Sequence, residues 1–469
     1  MQRYRERVKI EIAEQIVIEM RVKTGIDVCV EEVQHQNGFR EFKGKWRGHH
    51  PRLPPPCILR GQKQTKTNAF ARTCSQRIGL LVHPASVDSN LNYTQDLFLM
   101  AGHPDKSGYP FSVKALFSPE HGLYGTQQYM EEVRSEKLKV GTDYNLSLPL
   151  YSLYGKTKEE LAPTKKMLDD IDTIVIDLQD IGVRYYTYIW TMVLTLQSCA
   201  QCKIQVIVLD RPNPLNGVKV EGPILAPEFS SFVGLYPIPV RHGMTIGELA
   251  FMFNSHFNIG AELKVIKMQG WERNMWFDET GLPWVMPSPN MPTLDTAIVY
   301  PGMCLLEGTN ISEGRGTTKP FELFGAPFID HQELCATLNK EHLPGVIFRP
   351  MQFIPTTSKY TGEQCKGGQL HITNRDEFLS FMTGVVIIKT IKQMYPDLFK
   401  WRSPPYEYEE KQMPFDLLAG DSRIRELIER DVVAKRKSRS GGSDIRELLL
   451  QWEKELHSFA SIRDQYLLY

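Results

Sequence analysis

The chain has 469 residues, 42% hydrophobic and 23% charged, with 55 basic residues set against 55 acidic ones. This composition excludes wholesale disorder, a collagen-like repeat and a disulfide scaffold, the 8 cysteines being sparse and scattered, while the length implies two domains. The zero net charge is a sum of unlike parts: residues 1–75 hold 15 Lys or Arg against 8 Asp or Glu (net +7), and the remaining residues hold 40 against 47 (net −7).

In chain order, residues 3–23 read as a charged helix and 36–75 as a basic segment of little periodicity that includes Pro54-Pro55-Pro56. Together, 1–75 are expected to be a basic extension outside the folded unit. Charge at the start is not followed by an apolar core, so no secretory signal is visible. No stretch approaches the ~20 apolar residues of a membrane span. From Arg77 four β-rich runs (78–82, 113–117, 173–176 and 204–209) alternate with helical patterns around 93–101, 157–170 and 185–200. Apolar strands separated by helices predict an α/β fold, a Rossmann-like parallel sheet over 76–229.

The strands run into polar clusters: His83-Pro84, Ser118-Pro119-Glu120-His121-Gly122, Asp177-Leu178-Gln179-Asp180 and Asp210-Arg211-Pro212-Asn213-Pro214. Open α/β sheets bind ligands outside the carboxyl ends of their strands, so these four clusters are expected to line one crevice. Past residue 230, Gly- and Pro-rich loops carry Arg241-His242-Gly243, Ser288-Pro289-Asn290-Met291-Pro292 and Glu313-Gly314-Arg315-Gly316. Shorter elements and a helix from about 444 to 466 follow, which predicts a smaller α+β domain over 230–469.

No GxGxxG, P-loop, HExxH or GxSxG pattern is present, so neither a cofactor nor a metal is expected. Cys199 and Cys202 close a helical pattern instead of opening one and read as two ordinary thiols. An acidic folded part speaks against a nucleic-acid partner. What remains is carboxylates, arginines and aromatics. Glu120, with His121 beside it, sits on a tight turn at a strand end. Asp177 and Asp180 flank another such turn, where one of them is expected to cap backbone N–H groups. Arg184, Arg211, Arg241 and Arg315 offer guanidinium forks suited to carboxylates. Tyr185, Tyr186, Tyr188 and Trp190 either stack on a sugar or pack inward. The set fits glycoside chemistry on an anionic sugar, among several enzyme classes.

At these motifs the sequence resembles the exo-β-N-acetylmuramidase (NamZ-type) glycoside hydrolases. The resemblance is carried by Phe117-Ser118-Pro119-Glu120-His121-Gly122, Ser152-Leu153-Tyr154-Gly155, the runs 177–188, 209–214, 239–250, 287–292 and 300–302, and the run 307–317 leading to Phe321 and Gly325-Ala326-Pro327. It extends from about residue 76 to the terminal Tyr-Leu-Leu-Tyr and leaves 1–75 without a counterpart. It implies a Rossmann-like domain, a smaller second domain, an active site in the cleft between them, and release of N-acetylmuramic acid from the non-reducing end of peptidoglycan fragments. It implies Glu120 as general acid/base, with His121 in the same motif. The second carboxylate is then Asp177, Asp180 or Glu313, unless the acetamido oxygen of the substrate is itself the nucleophile. Arg184 and Arg315 are the first choices for the lactyl carboxylate. Tyr186, Asp210, Arg211, Asn213, His242 and Asn290 are further expected substrate contacts. Members of the family are usually exported, which leaves the compartment open. A catalytically silent muropeptide-binding protein on the same fold is the alternative, and a hydrolase for another carboxylated sugar a fainter one.

Overall fold

The computed structural model describes residues 76–101, 111–128, 131, 135–140, 146–436 and 445–469. The expected helix at 3–23 and the basic segment up to 75 lie outside them. The first domain is built on strands β1 (Gln76–Val82), β2 (Phe111–Ser118), β3 (Glu136–Val140), β4 (Leu146–Ser152), β5 (Thr173–Asp177) and β6 (Gln205–Leu209). A two-stranded ribbon, β7 (Glu221–Ile224) with β8 (Pro239–Arg241), and then β9 (Leu263–Ile266) follow. The main sheet has seven strands in the order β3-β4-β2-β1-β5-β6-β9, parallel throughout except for the antiparallel β3–β4 edge pair.

Side chains alternate across this sheet. Ile78, Leu80 and Val82 of β1, Val175 of β5, and Ile207 and Leu209 of β6 point to one face, which α1 (Thr94–Ala101) covers with Phe98. Leu81, Ile174, Ile176, Val206 and Val208 point to the other, against α2 (Tyr188–Cys202) and α3 (Ile246–His256). Burial on both faces explains why these strands read as near-continuous apolar runs. The sheet does not end at the expected boundary of 229: β9 pairs with β6 through Val206↔Leu263 to Leu209↔Ile266. Its short Leu-Lys-Val-Ile run is only partly buried, as befits an edge strand.

The second domain contains α4 (Leu294–Met303), β10 (Leu323–Ala326), α5 (His331–Lys340), β11 (Val346–Phe353), β12 (Cys365–Ile372), α6 (Ser380–Met394), α7 (Pro414–Ala419), α8 (Arg423–Arg436) and α9 (Ile445–Arg463). Its sheet is antiparallel, in the order β10-β12-β11. Helices α4 and α6 cross at two glycines. A Cβ on Gly302 would lie 1.9 Å from Ser380 O, and one on Gly384 would lie 2.2 Å from Gly302 O. The Ser380 hydroxyl donates to Val299 O (2.9 Å) and accepts from Gly302 N (3.0 Å), pinning the end of α4. Beyond α9 the chain returns to the first domain. The Tyr469 hydroxyl accepts from Met268 N (2.6 Å) and donates to Asp210 Oδ2 (2.9 Å), at the carboxyl end of β6.

Candidate active site

Strand β2 ends in a turn closed by Gly122 N donating to Pro119 O (3.1 Å). His121 (φ 70) and Gly122 (φ 77) are both left-handed, a conformation uncommon for a histidine. This sharp reversal sets Glu120 into a cavity between the two domains, where it is only 5% exposed. Thr187, immediately before α2, donates its hydroxyl to Glu120 Oε2 (2.8 Å), and the Tyr188 hydroxyl reaches Glu120 O (3.3 Å). The His121 Nδ1–H donates to Gln127 O (2.9 Å). Burial holds the His121 ring below its ordinary pKa, partly opposed by the Glu120 charge. At neutral pH His121 is therefore a neutral ring with Nε2 as an acceptor.

The second domain contributes the opposite wall. Glu307 lies in the single helical turn Cys304–Gly308 that continues α4. Its Oε1 accepts from Arg315 Nη2 (2.7 Å) and its Oε2 from the Tyr406 hydroxyl (2.9 Å). Burial alone would raise this carboxyl; the Arg315 charge and these hydrogen bonds outweigh it and hold Glu307 below the usual carboxylate range. Arg315 lies over the Phe321 ring, 5.0 Å from its centroid, and its Nε is 3.4 Å from Glu313 Oε1. Glu407 borders the same cavity, 3% exposed, with its Oε2 accepting from the Tyr154 hydroxyl (3.2 Å). Burial, reinforced by the charges of Glu120 and Glu307, pushes Glu407 well above the usual carboxylate range. Tyr186, Ser288, Asn290 and Tyr300 complete much of the lining. The site thus presents three carboxyl groups, one neutral imidazole, a set of tyrosines and, among the described lining residues, a single guanidinium.

Of the residues expected from sequence, Glu120, His121, Tyr186, Asn290 and Arg315 meet in this cavity. The others do not: of the four strand ends expected to form one crevice only the β2 turn borders this cavity, while Ala85, Gln179 and Arg211, which follow β1, β5 and β6, border a second hollow. Asp177 is fully buried and gripped bidentately by Arg211, Nε to Oδ1 at 2.5 Å and Nη2 to Oδ2 at 2.8 Å, while Thr94 also donates to Oδ2. The pair lies away from the Glu120 cavity, with Arg211 bordering the second hollow. Asp180 accepts from Gly182 N (2.7 Å) and faces His242 Nε2 at 3.2 Å. Asp210 accepts from Thr245, Gly247 N and Tyr469, and Asn213 bonds Met244 O and Leu215 N. Glu313 binds Lys359 Nζ (2.9 Å) and borders a neighbouring hollow instead. Arg184 is fully buried, its Nη1 donating to Pro223 O and Ile238 O and its Nη2 to Leu418 O. Deep burial lowers its pKa to about 10. It cannot also take the substrate carboxylate expected of it.

Sequence reasoning passed over Glu307, Tyr406 and Glu407. Glu307 stood at the head of the run 307–317, but as one acid among several. Tyr406 and Glu407 fall in Pro404-Pro405-Tyr406-Glu407-Tyr408-Glu409, a short aromatic–acidic alternation that gives no sign of the turn found there. The tyrosine stripe divides: Tyr185, Tyr186 and Tyr188 border the cavity, while Trp190 packs on Phe253 in the core and donates to Arg184 O (2.7 Å). Among the described residues, no group of three His, Cys, Asp or Glu is placed to hold a metal ion.

Two family models match the chain. They are described as exo-beta-N-acetylmuramidase NamZ, N-terminal, over residues 78–295, and exo-beta-N-acetylmuramidase NamZ, C-terminal, over residues 298–469. The chain belongs to the exo-β-N-acetylmuramidase family. A curated member of that family, the peptidoglycan beta-N-acetylmuramidase NamZ of Bacillus subtilis (strain 168), is 48% identical over 394 residues, which is 84% of this chain and 87% of that protein. Two crystal structures of DUF1343 family proteins from Bacteroides fragilis share the fold. One has a TM-score of 0.70 at 33% identity, covering 85% of this chain and 96% of that one; the other has 0.59 at 26% identity, covering 84% and 94%. The two exo-β-N-acetylmuramidase models meet at 295/298, around the start of α4 and past β9, in agreement with the extent of the sheet and not with a boundary at 229.

Proposed function

We propose that this chain is an exo-acting glycoside hydrolase that releases N-acetylmuramic acid from the non-reducing end of peptidoglycan fragments, with Glu120 as its general acid/base. The observation that carries the assignment of Glu120 is its position: a buried carboxyl held on a left-handed turn, oriented by Thr187, in the cavity where both family domains meet. The proton of Glu120 goes to the glycosidic oxygen as the bond to C1 breaks. The acetamido oxygen of the muramic acid closes on C1, and water then opens that ring, returning a proton to Glu120. Thr187 fixes the carboxyl rotamer. His121, neutral and hydrogen-bonded through Nδ1, offers an acceptor and not a second acid.

Arg315, paired with Glu307 at the cavity wall, is the guanidinium that lines the cavity and would meet the lactyl carboxylate. Residues 76–469 carry a net charge of −7, so an anionic sugar is recognised by a local guanidinium and not by an overall positive field. Substitution Glu120→Gln keeps size and hydrogen bonding but removes the transferable proton. The expected result is a fall in kcat of about 10²–10⁴-fold with KM little changed on a chromogenic muramic acid glycoside. An unchanged rate overturns Glu120 as the acid.

A further inference from the structure

We propose that Glu407 is the second catalytic carboxyl, paired with Glu120 across the boundary between the two domains. The inference deepens the muramidase reading and rests on it. Its ground is geometric. Glu407 and Glu120 border one cavity, the first from the second domain and the other from the β2 turn. Glu407 is 3% exposed, and among the described residues no cation forms an ion pair with it; its carboxyl rests on the Tyr154 hydroxyl. The backbone that holds it is strained: Glu407 (φ 44) and Tyr408 (φ 64) are successive left-handed residues other than glycine. That turn is locked by reciprocal bonds between Tyr406 and Glu409 (2.8 Å each) and anchored to the first domain by the Tyr408 hydroxyl on Gly155 O (2.8 Å). A buried acid without a counter-ion, on strained backbone, lowers stability. Retaining one in the cavity of a hydrolase makes sense when the acid takes part in the reaction.

The charged and titratable groups around Glu407 are Glu120 from the β2 turn, Tyr154 beyond β4, Glu307 from the turn after α4, Arg315 from the following loop and the adjacent Tyr408. Burial and the charges of Glu120 and Glu307 hold Glu407 well above the usual carboxylate range, and the proposed reaction starts from one proton on the Glu120–Glu407 pair. When the sugar offers its acetamido N–H to Glu407, the ionised form of Glu407 is favoured and the proton is held on Glu120. Glu407 then accepts the N–H bond and holds the acetamido oxygen at C1. Glu120 gives its proton to the leaving oxygen as the C1–O bond breaks and the bond from C1 to the acetamido oxygen forms. In the second step water adds to C1, the C1–acetamido bond breaks, and the water proton returns to Glu120. The pair ends with the one proton it began with, and no oxidant or further reactant is consumed.

The test compares the parent protein, Glu407→Gln and Glu407→Asp on a chromogenic N-acetylmuramic acid glycoside between pH 4 and 9. Glu407→Gln is expected to unfold at or above the parent temperature, because it removes a buried acid, yet to lose about 10²-fold or more in kcat with KM within a few fold. Its kcat/KM profile is expected to lose the acid limb, since no partner carboxyl then has to be ionised. Glu407→Asp, which keeps the carboxyl, is expected to retain measurable turnover and both limbs. Parent-like kcat and a two-limbed profile in Glu407→Gln overturn the proposal. So does a destabilised Glu407→Gln whose folded fraction turns over normally, which is the signature of a structural role. Should Glu407→Gln not fold, the unmodified protein still decides the matter, because a profile with a single carboxyl limb excludes a working pair. A parent protein that releases no muramic acid overturns the muramidase reading itself, a result distinct from an active parent indifferent to residue 407.

Discussion

Arg184 and Arg315 occupy loops of similar polarity, and nothing local distinguishes them. What separates them is where each guanidinium finds acceptors. Arg184 meets three main-chain carbonyls in the interior, whereas Arg315 meets Glu307 at the cavity wall. The two therefore make opposite predictions. Arg184→Met leaves three buried carbonyls without that donor, at about 1–3 kcal/mol each, and is expected to lower the thermal midpoint while the folded fraction keeps its KM. Arg315→Gln is expected to reduce the preference for a muramic acid glycoside over the corresponding N-acetylglucosamine glycoside by about 10–100-fold, the worth of one charge-assisted contact. Ratios of kcat/KM for the two substrates give the answer, and an unchanged ratio removes Arg315 from recognition. The same ambiguity governs the acids. Asp177 and Glu120 both follow apolar strands, but Asp177 lies within reach of Arg211 and Glu120 does not, and that pairing joins residues 34 positions apart. Residue type and strand-end position were legible; the long-range partner that consumes a charge was not.

Elements were more legible than their partners. Strands β1, β2, β5 and β6 announce themselves because both faces are largely buried and each carries a run of apolar residues. Strand β9 hides because an edge position tolerates polar residues, and the turn carrying Glu407 hides because its conformation is imposed by contacts with Tyr154 and Gly155 and not by a local pattern. The end of β6 shows how an element can carry a titration. Asp210 is raised to about 7, chiefly by burial, against hydrogen bonds from Gly247 and Thr245. An acid whose folded pKa is raised keeps a proton that the unfolded chain has already lost. Between about pH 4 and 7 the native state binds more protons, so this site makes stability fall as pH rises, by at most about 1.4 kcal/mol per unit, and contributes no further slope above about 7. Asp210→Asn is neutral throughout, and its amide can turn toward the Thr245 and Tyr469 hydroxyls. Urea midpoints at several pH values are expected to fall more steeply from pH 4.5 to 7.5 in the parent than in Asp210→Asn. Equal slopes would show that Asp210 is already ionised across this range.

At the scale of the molecule, the balanced charge divides at the edge of the family match, with +7 before residue 76 and −7 after it. Both halves of the cavity come from the acidic part. A protein beginning at residue 76 is accordingly expected to fold and to release muramic acid with a kcat/KM within about twofold of the full chain, measured on the same glycoside; a larger loss would give the basic segment a part in catalysis. The cavity itself belongs to neither domain. Glu120, His121 and Thr187 arrive from one, Glu307, Arg315, Tyr406 and Glu407 from the other, and the bonds from Tyr154 to Glu407 and from Tyr408 to Gly155 cross between them. Severed from one another, the halves would each hold an incomplete reaction centre and be silent. Turnover would reappear only in proportion to their reassembly, as in a split reporter. For the same reason neither half can be transplanted into another protein with its chemistry intact: the two domains are heritable as a catalyst only together.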